Sequence, residues 1–451
     1  MLETEGGAPA PAAPPRPAVL LLTLLAAALP QGGPPTPNVL VVLMDDVGRD
    51  KVQAYGEQPA APPTPNLDAL AARGVLFRNA WAYHSCSPTR AALLTGRHAD
   101  RTGIGSVIRT TDGVHTPLAL SEVTLPEALP GYTSVALGKW HLLDAGDPET
   151  HPLDSGFHAV SGFLGPNDYH SWSWNLNGTL IPRTGYYPAD LADQVTGALE
   201  RTPEPFFLYY CPRLAHAPFH VPPQSLHSQG HPTTPEGQHE AMSEAMDTII
   251  GRLLDTVDLE STYVFVIGDN GSPGETVVPP FQPTRGKGTL YEGGVRSSLV
   301  VWGPGLVRGH GGVNRASVFS AIDLVPSLLQ VTGTPRPDGA DFDGEALAPT
   351  LLGQSDASRA APVFFRRPPD RDRFYGVDDL PDLAVRAGRY KLMCEYDGSD
   401  AQLFDLEADV GEQRDVSSAH PEVVASLRSQ LLAWHAEMPP DRGAELARRA
   451  R

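Results

Sequence analysis

NVLVVLMDD, Asn38 to Asp46, sets six apolar residues after an asparagine and ends on two aspartates. A run this short, valine-rich and without alternation, reads as a strand buried on both faces, the usual look of a strand in a parallel sheet. YTSVAL (Tyr132–Leu137), FFLYY (Phe206–Tyr210), TYVFVI (Thr262–Ile267) and SLVVW (Ser298–Trp302) repeat the pattern. Helical stretches lie between them. TPNLDALAARG starts at a capping residue, Thr64 or Asn66, and stops at Gly74. Pro88 to Leu94 predicts a helix closed by Gly96, with the proline in the first turn where its missing N–H costs nothing. His239 to Leu259 carries Met242, Ala245, Met246, Ile249, Ile250, Leu253 and Leu254 on one stripe, the mark of core packing, and Phe319 to Val331 predicts a further helix. Strands alternating with helices predict an α/β fold with a mostly parallel central sheet flanked by helices.

Composition shifts after Gly353. GQSDASRAAP reads as a linker, RAGRYKLMCEY and AQLFDLEAD as strands of a smaller sheet, and Pro421 to Met438 as a closing helix. The chain therefore divides into a leader at 1–33, a main domain at 34–353, and a C-terminal α+β subdomain at 354–451 with a small antiparallel sheet. In the leader, Arg16 precedes an apolar run from Ala18 to Leu29. That run is too short for a stable membrane span and suits a signal peptide core, which predicts a secreted or periplasmic protein. The alternatives for 1–33 are a disordered leader or a short uncleaved anchor. A net charge of −19 over 451 residues, with no basic stripe, excludes a nucleic-acid partner. It also means that an anionic substrate needs a locally positive pocket. The three cysteines, Cys86, Cys211 and Cys394, are too few for a disulfide scaffold and are spaced for no zinc site. Cys211 and Cys394 either pair or stay as separate buried thiols.

The ends of the strands carry the chemistry. NVLVVLM runs into Asp45-Asp46, TYVFVIG into Asp269-Asn270, YTSVALG into Lys139-Trp140-His141, and FFLYYCPRLA into His216. Ligands of open α/β sheets bind outside the carboxyl ends of the strands, so these residues converge on one edge. Two oxygen-rich strand ends without a thiolate suit calcium or magnesium better than zinc.

SCSPTRAALLTGR, Ser85 to Arg97, puts Cys86 at the start of a helix. A helix N-terminus favours anions, and Arg90 returns to the same end one turn later. Lys139 and Lys287 add positive charge, so the neighbourhood suits a tetrahedral oxyanion. A small cysteine packed under the helix, with Arg90 in solvent, satisfies the same residues.

CSPTR at 86–90 matches the C-x-P-x-R signature of the formylglycine-dependent sulfatases, and AALLTGR extends the match. The resemblance covers nearly the whole chain after the leader. NVLVVLMDDVG is similar to that family's opening strand and metal aspartates, and ALGKWHL to its G-K-W-H-L-G motif, with Leu143 in place of the last glycine. GFHAVSGFLGPNDYHSW resembles a loop beside the pocket, with His158 where an aspartate is common. LAHAPFH, VIGDNGS, GKGTLYEGGVRSSLVVWGPG and LFDLEADVGEQRDV resemble further family stretches in the same order.

The resemblance implies an alkaline-phosphatase-like fold and hydrolysis of sulfate esters, as in the arylsulfatases. It implies that a formylglycine-generating or anaerobic maturing enzyme oxidises Cys86 to formylglycine. Asp45, Asp46, Asp269 and Asn270 then hold one calcium ion, and the modified residue 86 completes that site. Arg90 steadies the hydrated aldehyde, Lys139 and Lys287 hold sulfate oxygens, His141 acts as a base at position 86, and His216 assists departure of the alcohol. A thiol would leave a thiosulfate and a serine a stable sulfate ester. A hydrated aldehyde attacks with one hydroxyl and expels sulfate by collapse of the other, splitting one hard step in two. The substrate is a sulfated small molecule or glycan. Two alternatives share these motifs: a formylglycine-dependent phosphonate or phosphate diester hydrolase, and a relative that binds without turnover. His98, His115, His158 and His170 line the pocket or lie on the surface, and His84 has no assigned role.

Overall fold

All seven residues of the strand Asn38–Met44 are buried in the computed structural model, which describes residues 36–108, 117–143, 147–163, 168–306, 312–368 and 380–440. Its side chains alternate between two cores. Val39, Val41 and Leu43 pack with Ala91–Leu94 of the helix Cys86–Thr95 on one face. Leu40, Val42 and Met44 pack on the other against the helices Pro65–Arg73, Tyr187–Leu199 and Pro235–Leu254. Both faces are covered by helices, which is why the strand carries no polar alternation. Burying each such aliphatic side chain contributes about 1.5–3 kcal/mol.

The strand sits in a ten-stranded sheet. Thr262–Gly268 flanks it on one side and Phe206–Cys211 on the other, both parallel to it. Thr133–Lys139 and Ala159–Phe163 continue the parallel run. Beyond these, Ser171–Leu176 and Thr179–Thr184 form an antiparallel hairpin at one edge. Toward the other edge, Leu299–Trp302 runs antiparallel to Thr262–Gly268, with Val75–Phe77 and then Gly312–Asn314 outside it. This differs from the expectation that Ser298–Trp302 is a parallel strand. An apolar run buried on both faces looks alike in either direction. The connection from Asp269 to Ser298 holds only short helical turns, such as Glu292–Val295, and no crossover helix that would return the chain to the same end.

Helix boundaries moved where caps intervene. The helix expected from His239 starts at Pro235, because Thr234 Oγ1 accepts from the Gly237 N–H at 3.2 Å and proline occupies the first position. The segment expected to be helical from Phe319 begins as a short strand, Phe319–Ser320, beside Ala80–Trp81. A capping box of Ser320 and Asp323 then leads into the helix Leu324–Thr332. The helix Cys86–Thr95 starts at the cysteine and ends at Gly96, whose φ of +65° is the left-handed stop that glycine favours.

Val363–Arg366, Leu383–Ala387, Tyr390–Cys394 and Gln402–Asp405 form a separate antiparallel sheet. The closing helix Pro421–Glu437 lays Leu427, Leu431 and Trp434 on its face. The large sheet between helices and this C-terminal subdomain together make the expected alkaline-phosphatase-like architecture. All three cysteines are free and buried, so Cys211 and Cys394 are not paired. Among the described residues no helix is long and apolar enough to cross a membrane. The leader expected at 1–33 and His115 lie outside the described residues.

Candidate active site

The carboxyl end of Asn38–Met44 delivers Asp45 and Asp46, and that of Thr262–Gly268 delivers Asp269 and Asn270. All four are buried. The two strand ends are stitched together: Asp269 N–H donates to Met44 O at 2.9 Å, and Asp46 N–H to Asp269 Oδ1 at 3.0 Å. Asp46 has a φ of +64°, a conformation costly for a side chain with a Cβ and seen mainly where the surroundings enforce it. Here the surroundings include His239, whose Nε2 donates to Asp46 O at 2.8 Å.

Cys86 Sγ lies 3.5 Å from Asp45 Oδ1, 3.9 Å from Asp46 Oδ1 and 3.6 Å from Lys287 Nζ, with no exposed surface. Three cations answer the three carboxylates. Lys139 Nζ donates to Asp45 at 2.7 and 3.0 Å, and Lys287 Nζ to Asp46 Oδ2 at 2.8 Å. Arg90, fully buried, reaches Asp269 Oδ2 at 3.2 Å and Asp45 Oδ2 at 3.7 Å, and donates to Lys139 O at 2.7 Å. Arg90 is thus an ion-pair partner inside the site and not a solvent-facing residue. Thr89 Oγ1 donates to Asp269 O at 2.6 Å, tying the helix start to the end of the strand Thr262–Gly268.

The two histidines are held in defined tautomers by carbonyl oxygens, which only accept. His141 Nε2 donates to Ile108 O at 3.0 Å, which leaves Nδ1 as the lone-pair nitrogen, buried and without a hydrogen-bond partner among the described residues. Ile108 N–H in turn donates to Ser87 Oγ at 3.1 Å, so the main chain of one residue links His141 to the residue after Cys86. His216 Nδ1 donates to Ala217 O at 2.7 Å, which turns Nε2 toward Asp46 Oδ2 at 3.8 Å. One ligand atom each from Asp45, Asp46, Cys86 and His216 lie within 4.8 Å of one another.

The electrostatics follow from burial and charge together. Burial raises the Asp45 and Asp46 carboxyls, but Lys139 for Asp45 and Lys287 for Asp46, with His216 adding to both, outweigh it and leave both below the usual range. Asp269 is pushed up to about 7 by burial and then by the Asp45 charge, against the pull of Arg90. Burial lifts the Cys86 thiol to about 12, against the pull of Lys139 and Lys287. An unmodified Cys86 is therefore a thiol at neutral pH and a poor nucleophile. Burial, with Lys139 next, holds His141 well below its ordinary value and His216 at about 4.

All of the residues expected at the site, Asp45, Asp46, Cys86, Arg90, Lys139, His141, His216, Asp269, Asn270 and Lys287, meet at this edge. Asn270 Nδ2 donates to Asp46 Oδ1 at 2.9 Å, while its Oδ1 is buried without a hydrogen-bond partner among the described residues. A buried orphan oxygen beside three carboxylates fits a hard cation and has no protein reason to exist. The other histidines scatter. His98 packs against Trp434 of the closing helix, and exposed His158 accepts from Ser134 N–H at the opposite end of its strand. His170 lies near His216 by way of Tyr169, as described below. His84 is buried, and its carbonyl accepts from Gly288 N–H beside Lys287.

The sequence did not disclose several supporting residues. His239 begins what reads as a core stripe, and its contact is to a main-chain atom. Tyr169 OH donates to His216 O at 2.6 Å from a separate loop. Glu292, five residues past Lys287, is bound by Lys391 Nζ at 2.9 Å from the C-terminal sheet, and Lys391 also pairs with Glu412 at 3.0 Å. The only signal in the sequence was the charged residue Lys391 inside an otherwise apolar strand.

Fold and strand-end chemistry together define an alkaline-phosphatase-like hydrolase of a tetrahedral oxyanion ester. Residues 37–334 match the family model described as Sulfatase. N-acetylgalactosamine-6-sulfatase of Canis lupus familiaris is 33% identical over 415 residues, covering 82% of this chain and 74% of the relative. Arylsulfatase A of Homo sapiens is 31% identical, covering 91% and 90%. Among solved structures, Ps i-CgsB in complex with k-i-k-neocarrahexaose superposes with a TM-score of 0.78 at 23% identity, covering 90% of this chain and 94% of that one. A second, in complex with its substrate D-glucosamine-2-N,6-O-disulfate, gives 0.68 at 18% identity over 90% and 99%. These two share the fold. The chain belongs to the sulfatase family and is a sulfuric-ester hydrolase, which cleaves a sulfate ester to an alcohol and inorganic sulfate.

Proposed function

We propose that the hydrolysis uses a formylglycine made from Cys86 and one calcium ion, with magnesium the alternative cation. The observation that carries this is the meeting of Cys86 Sγ with Asp45 and Asp46 beside the unpartnered oxygen of Asn270. Asp45, Asp46, Asp269 and Asn270 would hold the cation through oxygen alone, with residue 86 completing the set. When bound, calcium supplies Lewis acidity toward the hydroxyl at position 86 and toward a sulfate oxygen. Formylglycine supplies, as its hydrate, a nucleophilic hydroxyl and a second one through which sulfate is released.

The chain's own residues bind, orient and move protons. The charges of Asp45, Asp46 and Asp269 are balanced by Arg90, Lys139 and Lys287, so a divalent cation leaves a positive pocket within an acidic protein. Lys139 and Lys287 hold sulfate oxygens, and each such pre-placed donor is worth about 3 kcal/mol. Arg90 fixes the Lys139 main chain while it compensates Asp269. His141 Nδ1, kept neutral and unpartnered, accepts the proton from position 86. His216 Nε2, turned toward the site by the hydrogen bond of Nδ1 to Ala217 O, would hand a proton to the departing alcohol oxygen.

The substrate is a sulfated small molecule or glycan; relatives named for N-acetylgalactosamine 6-sulfate favour the glycan. The signal-like stretch in 1–33 supports action outside the cytoplasm, and a formylglycine-generating or anaerobic maturing enzyme is the partner Cys86 requires. The division at 353 is proposed on the linker that precedes the strand Val363–Arg366. Mass spectrometry of the Cys86 peptide from active enzyme tests the mechanism: an aldehyde or its hydrate is expected, and unmodified cysteine in active enzyme overturns it. A parallel assay with p-nitrophenyl sulfate and an aryl phosphonate ester separates the activities, and preference for the phosphonate would select the alternative hydrolase.

A further inference from the structure

We infer that the alcohol part of the substrate is a neutral sugar ring, seated on a shelf of Tyr186, His170 and His220 with Asp168 accepting one of its hydroxyls. This rests on the proposal that the site hydrolyses sulfate esters of glycans. The shelf is attached to the site through one side chain. Buried Tyr169 donates to His216 O at 2.6 Å and to Arg213 O at 3.0 Å, and His220 lies on its ring with centroids 4.2 Å apart. Tyr186 stacks on the same ring at 6.2 Å with an interplanar angle of 19°.

From that anchor, three rings form a triangle at the surface. His170 and Tyr186 centroids are 5.5 Å apart, Tyr186 and His220 5.6 Å, and His170 and His220 6.0 Å. His170 is exposed, and Tyr186 and His220 are half-buried. Their polar atoms are already ordered. His220 Nδ1 donates to Pro218 O at 3.0 Å, so its Nε2 accepts from Tyr186 OH at 3.1 Å. The ring planes are inclined to one another by 43° to 73°, so they form a shallow cup whose faces and fixed polar edges suit a ring with an apolar C–H face and hydroxyls at its rim.

Asp168 gives the shelf its selectivity. It is exposed, and its Oδ1 accepts from the His170 and Ser171 N–H groups at 2.6 and 3.1 Å. No hydrogen bond to its second oxygen forms among the described residues. An ionised carboxylate only accepts, so it favours a hydroxyl and repels a carboxylate on the same ring. A hexose or N-acetylhexosamine fits; a uronic acid does not.

Matured enzyme assayed with p-nitrophenyl sulfate and with a panel of galactose, N-acetylgalactosamine and glucosamine monosulfates tests this. Asp168→Asn keeps the Oδ1 acceptor that holds the turn, and His170→Ala removes an exposed side chain, so both variants keep the fold. On the sugar sulfate used best, each is expected to raise KM about tenfold, the effect of losing one hydrogen bond to a charged group or one ring contact. KM for p-nitrophenyl sulfate, which has no hydroxyl to offer Asp168, stays within about twofold in Asp168→Asn. An unchanged sugar KM, or equal changes on both substrates, overturns the shelf. So does turnover of the aryl ester with no turnover of any sugar. Failure of the wild type on every substrate overturns the parent proposal as well.

Discussion

At the scale of single residues, Cys86 concentrates the chemistry, yet its thiol is raised to about 12 by burial and then shaped by the charges of Lys139 and Lys287. A thiol held this high is a poor nucleophile, which supports the proposed conversion to formylglycine. Cys86→Ala and Cys86→Ser are therefore expected to lose nearly all turnover, on the order of 10⁴-fold or more for removal of a covalent nucleophile. Their urea denaturation curves should overlay that of the wild type, since both side chains fit the space. Wild-type rates in either variant would place the nucleophile elsewhere. Most of the proposed site residues were legible because they follow an apolar strand or open a helix, where polar atoms have no packing role; Lys287 lies in a loop and was legible only through the family motif. His239 and Tyr169 were not, because they act on main-chain carbonyls that no side-chain pattern marks.

At the scale of elements, the C-terminal sheet reaches into the loop that carries Lys287. Lys391 stands fully buried between Glu292 and Glu412. Burial raises Glu412 to about 7 despite Lys391, while Lys391 and Arg296 overcome burial and bring Glu292 to about 2. Lys391→Met strands the Glu292 charge, and breaking a buried pair in this way costs about 3–5 kcal/mol. Denaturant titration should register that loss, with a fall in kcat as the Lys287 segment loosens; an unaltered midpoint would mean the pair is already balanced by Arg296. His98 offers a pH test in the same region. Burial depresses its folded value to about 4, so it adds stability above its ordinary value of 6.5 that is lost as pH falls from there toward 4. His98→Gln should flatten the decline of stability across that window by up to about 1.4 kcal/mol per pH unit. A slope equal to that of the wild type would show that His98 does not contribute. The parallel centre of the sheet was readable from runs of valine and aromatic residues. The reversed strand Leu299–Trp302 was not, because direction is set by the length of the preceding connection.

At the scale of the whole molecule, the proposed cation would bind only the folded chain, because Asp45-Asp46 and Asp269-Asn270 come together only when their two strands pair. A ligand that binds only the folded state adds stability by mass action, about 2.7 kcal/mol at a hundredfold excess over Kd. Calcium titrated into metal-stripped protein is expected to raise Tm by several degrees, and chelation to lower both Tm and turnover. Asp269→Asn should weaken the calcium response of Tm. Identical Tm with and without calcium, together with full activity after chelation, would remove the cation from the site.

If Cys86 is converted as proposed, its complete enclosure in the first turn of its helix sets a clock on production of the enzyme. On that proposal a modifying catalyst would have no access to the folded site, so oxidation would compete with folding of the nascent chain. The active fraction of a preparation is then a kinetic partition. It rises when the maturing enzyme is abundant or folding is delayed, and incubation of the finished protein with the same catalyst cannot restore what folding has sealed.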